Sequence, residues 1–192
     1  MATLRPFRDY DEKDVINLYA LDVSALNAAH DLSTWDKRVG SGTLVKLGTN
    51  GWRNTDELDM IGGAGDFAVS NVTSQRYGVA AKVAIATATD TPLGMLLHHV
   101  AKYDENGEQL KFNPRKASEL ESAIEGQAVP LVTRGLFLVN GIDVSVTALS
   151  AAGQALYAGD LGQITCEAAS NVKIGQALGL AADGNVLIKL EL

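Results

Sequence analysis

Leu136-Phe137-Leu138-Val139-Asn140-Gly141-Ile142-Asp143-Val144-Ser145-Val146 is the stretch from which the fold class is read. Two apolar runs flank an Asn-Gly pair. Both central residues of a type I′ turn need φ above zero, which Asn and Gly adopt at low cost, so the stretch predicts a β-hairpin. Toward the C terminus, Ala155 to Tyr157 and Gln163 to Cys166 flank Gly159-Asp160-Leu161-Gly162, another turn between short strands. At the end, Val186, Ile188 and Leu190 alternate with Leu187, Lys189 and Glu191 after a turn at Asp183-Gly184. Alternation with a period of two places one set of side chains on a core face.

Toward the N terminus, Val79 to Ala88 and Leu93 to Val100 read as strands separated by Thr89-Asp90-Thr91-Pro92. Asp104-Glu105-Asn106-Gly107 is a turn leading into Gln109 to Phe112. Asn113-Pro114 starts a short helix to about Ser122, with Asn as N-cap and Pro in the first turn. Gly126 to Val132 is a further strand. Turn signals recur roughly every 8 to 12 residues, the spacing of a small barrel or sandwich. The predicted fold class is mainly β, with one or two short helices.

The first 76 residues have another character. Asp11 to Leu26 carries a partial apolar stripe (Val15, Ile16, Leu18, Tyr19 and Leu26) behind the acidic Asp9, Asp11, Glu12 and Asp14. Negative charge is favourable near free backbone N–H groups, so one helix is expected here. Glycines at 40, 42, 48, 51, 62, 63 and 65 then alternate with Asn, Thr, Ser and Asp. The expected organisation is a loop-rich N-terminal arm over residues 1–76 and a barrel-like body over 77–192.

Composition bounds the function. The chain has 192 residues, 46% hydrophobic and 20% charged, which suits an ordered protein with one sizeable core. Aromatics supply only 6% while glycine reaches 19 residues, a balance that favours short strands and tight turns over a helix bundle. A formal net charge of −7 without a Lys/Arg cluster argues against direct nucleic-acid binding. Cys166 is the single cysteine and has no partner for an internal disulfide. The opening residues, Met1 to Asp9, carry charges where a signal peptide needs an apolar core. No apolar run approaches the roughly 20 residues of a membrane span, so a soluble product made in the cytoplasm is expected.

Gly63-Ala64-Gly65-Asp66-Phe67-Ala68 matches the dinucleotide fingerprint in letters, but Asp56 to Ile61 before it is too charged for a buried strand. His30, His98 and His99 are the three imidazoles; adjacent strand residues face opposite ways, so His98 and His99 do not readily share a metal. Cys166 reads as a small core residue. The Asp9 and Asp104 acidic groups lack the sixth-position glycine of a calcium loop. No catalytic, cofactor-binding or metal-ligating residue is assigned, no cofactor is called for, and no enzyme activity is expected.

Three segments carry a resemblance. Gly126-Gln127-Ala128-Val129-Pro130-Leu131-Val132-Thr133-Arg134-Gly135, then Ala152-Gly153-Gln154-Ala155-Leu156-Tyr157, then Lys173-Ile174-Gly175-Gln176-Ala177-Leu178-Gly179 with the closing Asp183 to Leu190, resemble small capsid decoration proteins of tailed phages. Arg5 to Leu18 is similar to the start of virion structural proteins in phages related to those of cyanobacteria. Residues 27–75 carry none of this. The resemblance implies a virion protein on the capsid surface that binds the major capsid protein and stabilises its lattice. Strand edges with few charges, together with the three-fold positions such proteins often occupy, favour a homotrimer. The acidic charge and the lack of a long apolar run argue against contact with nucleic acid or membrane. The alternative is a receptor- or carbohydrate-binding module on the virion, for which Trp35 and Trp52 lie in loop-like sequence. A third reading, a small hydrolase or nucleotide-binding enzyme, would need the Gly63 loop or the histidines to converge with carboxylates.

Overall fold

In a computed structural model of the chain, residues 3–6, 11–48, 81–144, 147–179 and 184–192 are described. The chain is mainly β with few short helices, as its turn-and-strand pattern predicts. The strands are β1 (Thr3–Pro6), β2 (Val15–Ile16), β3 (Ala20–Leu21), β4 (Leu44–Leu47), β5 (Lys82–Ile85), β6 (Gly94–Leu96), β7 (His99–Ala101), β8 (Ser122–Ile124), β9 (Leu131–Val132), β10 (Arg134–Asn140), β11 (Ala155–Ala158), β12 (Ile164–Thr165), β13 (Lys173–Gly179) and β14 (Asn185–Glu191). Among the described residues one α-helix, α1, spans Pro114–Glu119.

Two six-stranded sheets and one strand pair organise these elements. The first sheet runs β1-β10-β14-β13-β11-β12, antiparallel throughout. The second runs β2-β9-β6-β4-β5-β3, antiparallel except for the parallel β3–β5 pair. Strands β7 and β8 form a parallel pair. The curvature is that of a half-barrel, and neither six-stranded order closes on itself among the described residues.

Burial shows how the layers stack. In β14, Val186, Ile188 and Leu190 are buried while Leu187 and Lys189 are half-buried and Glu191 is exposed, the alternation expected of a strand with one core face. These residues join Phe137, Val139, Ile174 and Leu156 in a core that also takes in Leu44, Met95 and Val132 from the second sheet. The next or preceding residues of the same strands, Val45, Leu96 and Leu131, enter a different core with Leu21, Leu32, Val39 and Val83. Successive strand residues face opposite ways. The second sheet is therefore a middle layer, buried on both faces.

That layering corrects the expected arm. The described part of the segment, residues 11–48, supplies β2, β3 and β4 to the second sheet, with β4 hydrogen-bonded between β5 and β6. Leu21, Leu32 and Val39 cover the face of that sheet turned away from the first one. Glycine-rich sequence suggested loops, but small residues also let chain pack closely on a sheet. The helix expected over Asp11 to Leu26 is absent. Its place is taken by 3-10 turns at Glu12–Asp14 and Val23–Ala25 around β2 and β3. Asp11 and Asp22 accept hydrogen bonds from the N–H groups of Lys13 and Ser24 at 3.0 Å, which stabilises tight turns in competition with a continuous helix.

The Asn140-Gly141 hairpin is also corrected. Gly141 has φ +83°, but Asn140 is the last residue of β10 and is not in the positive-φ region. Strand β10 pairs with β1 on one side and β14 on the other, so no edge is left for residues 142–144 to pair with it. The chain departs instead, and Asp143 makes an isolated parallel bridge with Thr165. The expected Leu93 to Val100 strand is two strands, β6 in the second sheet and β7 in the strand pair. The Thr89 to Pro92 turn does not join a hairpin either: β5 and β6 flank β4 from opposite sides. By contrast β13 and β14 pair antiparallel across a short connection, and Asn113 caps α1 by accepting from the Lys116 N–H at 3.2 Å. Gly63 to Ala68, Asp9 and Trp52 lie outside the described residues.

Candidate functional site

A groove of about 410 Å³ opens between the 3-10 turn at Trp35–Lys37 and the turn at residues 104–107. Both walls are held firmly. On the first, the Arg38 guanidinium carbon lies 4.1 Å from the centroid of the Trp35 ring, and Nη1 of Arg38 donates to the Trp35 carbonyl at 2.9 Å. Stacking a cation on an indole face is attractive because the face is electron-rich. The indole also packs against Ala101, Leu110, Ala117 and Ile124, and meets the His99 ring edge-on with centroids 5.9 Å apart.

On the second wall, Asp104 is only 4% exposed, and its side chain organises the turn. Its Oδ1 accepts from the N–H groups of Asn106 at 2.9 Å and Glu108 at 2.8 Å. The Asp104 carbonyl accepts from Gly107 at 3.1 Å. Lys116 of α1 reaches Glu105 at 2.6 Å, and that hydrogen bond holds the Glu105 carboxyl below its usual range. Tyr103 bridges to Gln109 across the turn and lines the groove with Thr34, Asp36 and Asn106.

Behind the Trp35 wall, Nδ1 of His99 accepts the Ser41 N–H at 2.9 Å. The ring is therefore neutral, with its proton on Nε2. Burial, and next the positive charge of Arg38, push the His99 pKa down to about 4, while Glu121 opposes the shift. Nε of Arg38 and Nδ1 of His98 are buried without a hydrogen-bond partner.

The residues singled out in the sequence do not converge. His30 donates from Nδ1 to the Arg38 carbonyl at 3.2 Å, across a loop. His98 and His99 precede and begin β7, and among the described residues no three His, Cys, Asp or Glu side chains form a metal-ligand set. Cys166 is buried in the first core, where burial first and Asp143 second push its thiol pKa up. A thiol so placed is a poor nucleophile. Trp35 stands in loop-like sequence, and the Asp104 turn was legible from Asp-Glu-Asn-Gly. Their juxtaposition, along with Tyr103 and Arg38, was not: roughly seventy residues separate the two walls in sequence, and no local pattern links them. No protein-family model, curated protein or solved structure matches the chain.

Proposed function

We propose that the protein is a structural component of a virion, seated on the outer surface of a tailed-phage capsid, where it binds the major capsid protein and stabilises its lattice. The observation that supports this best is the use made of the reactive side chains. His30, His99 and Asp104 each hold the protein's own backbone, and Cys166 is core packing. Function then resides in surface, and Phe112, 74% exposed just before α1, offers an apolar ring for a neighbouring subunit to cover. Binding only to the assembled lattice stabilises that lattice by mass action, and many copies make modest single contacts sufficient. A homotrimer at three-fold positions fits this role. The test is thermal challenge of particles with and without the protein, together with its position in images of intact particles. Earlier rupture of particles lacking it, and density on the capsid exterior, are the expected results; equal rupture temperatures or an interior location would reject the reading.

A second reading, a receptor- or carbohydrate-binding module on the virion surface, is favoured by one feature: the groove between Trp35 and Tyr103.

A further inference from the structure

We infer that the outer edge of β10 is an exchange site: β1 fills it here, and the segment after Gly141 is built to replace β1 there as the second strand of a hairpin. Register carries the inference. A two-residue turn at Asn140-Gly141 sets Ile142 opposite Val139, Asp143 opposite Leu138 and Val144 opposite Phe137. These are the positions at which β10 pairs with Leu4, Arg5 and Pro6. Opposed residues of an antiparallel pair share a face, and Phe137 and Val139 are buried in the first core. In that register Ile142 and Val144 fall on the core face and Asp143 on the other. In the arrangement seen here Val144 is instead 47% exposed. The segment is held beside β12 by an isolated bridge, in which the Asp143 N–H donates to the Ile164 carbonyl at 2.8 Å.

The turn itself is half formed. Gly141 has φ +83°, close to the roughly +90° of the second position in a type I′ turn. Of the two turn residues, Asn140 alone has to enter the left-handed region, and asparagine does so more readily than most residues. The hairpin gives up the Asn140–Asn185 pairing at the end of the β10–β14 ladder and the bridge from Asp143 to Thr165. Its competitor is short. Strand β1 has four residues and ends in Pro6, which has no N–H to offer the ladder. Exchange keeps the edge of β10 paired while freeing residues 3–6 to add to the sheet edge of another subunit.

The test makes the two pairings compete for one sulfur. The full chain carrying Arg5→Cys, Leu138→Cys and Asp143→Cys, with Cys166→Ala to remove the native thiol, is equilibrated in a glutathione redox buffer. Its disulfides are then mapped by mass spectrometry. Both the 5–138 and the 138–143 links are expected. Adding Asn140→Val, which suits a strand end but resists the left-handed turn, should lower the second link relative to the first about tenfold. Amide hydrogen exchange reads the same equilibrium without cysteines, should the substituted chain fail to fold. Residues 3–5 of the natural chain should exchange faster than β10, and Asn140→Val should slow them about tenfold. A chain that forms the 5–138 link alone, or a link ratio indifferent to Asn140→Val, would overturn the inference. So would β1 amides that exchange at the β10 rate, or at a rate that Asn140→Val leaves unchanged.

Discussion

His99 commits the lone pair of Nδ1 to the Ser41 N–H, and protonation there destroys that bond while placing a cation near Arg38. The charged groups that act on it are Arg38, His98 and, in the opposite sense, Glu121. Its pKa is about 4 in the folded chain against 6.5 ordinarily, so the unfolded state binds the extra proton between those values. Stability from this residue is complete above pH 6.5 and is lost as pH falls toward 4. Urea melts at pH 7.5 and 5.0 should show wild type losing more stability than His99→Gln, which keeps an acceptor but does not titrate. Equal losses would contradict the assignment. Asp90, held at about 2 first by Lys46 and then by Thr87, loses its contribution only below its ordinary 3.8, outside that window.

Within the elements, close approach of backbones is the feature most sensitive to a single atom. Gly175 of β13 sits against β14, where a Cβ would run into the carbonyl of Lys189. That carbonyl belongs to a central strand paired on both sides and has little room to shift. Gly175→Ala should therefore cost on the order of 1 to 3 kcal/mol through overpacking, read as a lower urea midpoint at unchanged slope. A midpoint equal to wild type would show that β13 is free to move away. The β13–β14 pairing and the capped start of α1 were legible because their signals are local: alternation along each strand and Asn before Pro; Asp183 of the expected turn lies outside the described residues. Strand β10 was legible too, but its partners were not. An Asn-Gly pair favours a hairpin only if the strand edge beside it is vacant, and here β1 and β14 occupy both edges.

At the scale of the molecule, the middle sheet governs what can be removed. Deleting residues 1–30 takes away β1, β2 and β3 together with Leu21, which is 2% exposed in the second core. Each fully buried leucine contributes roughly 1.5 to 3 kcal/mol, and loss of β3 also uncovers Val83, Leu96 and Leu131. The truncated chain should fail to fold cooperatively, seen as loss of a sigmoidal urea transition by tryptophan fluorescence. A truncated chain that melts like the full one would restore the detachable arm.

Taken alone, the order of residues determined the mainly β class, the turn at Asp104, the cap at Asn113 and the inward set of β14, because each follows from backbone preference or period-two burial over a few residues. The tertiary structure alone decided the layering and the groove. A strand buried on both faces, such as β6 with Met95 and Leu96 in different cores, has no polar side to mark its orientation, so its sequence does not reveal which layers it joins. Likewise Trp35 and Tyr103 come to line one groove where Val39 bridges to Val100, drawing the segment after the first residue alongside the strand that leads to the second. Such long-range pairing depends on which edges and faces remain unfilled once every other strand has found its place.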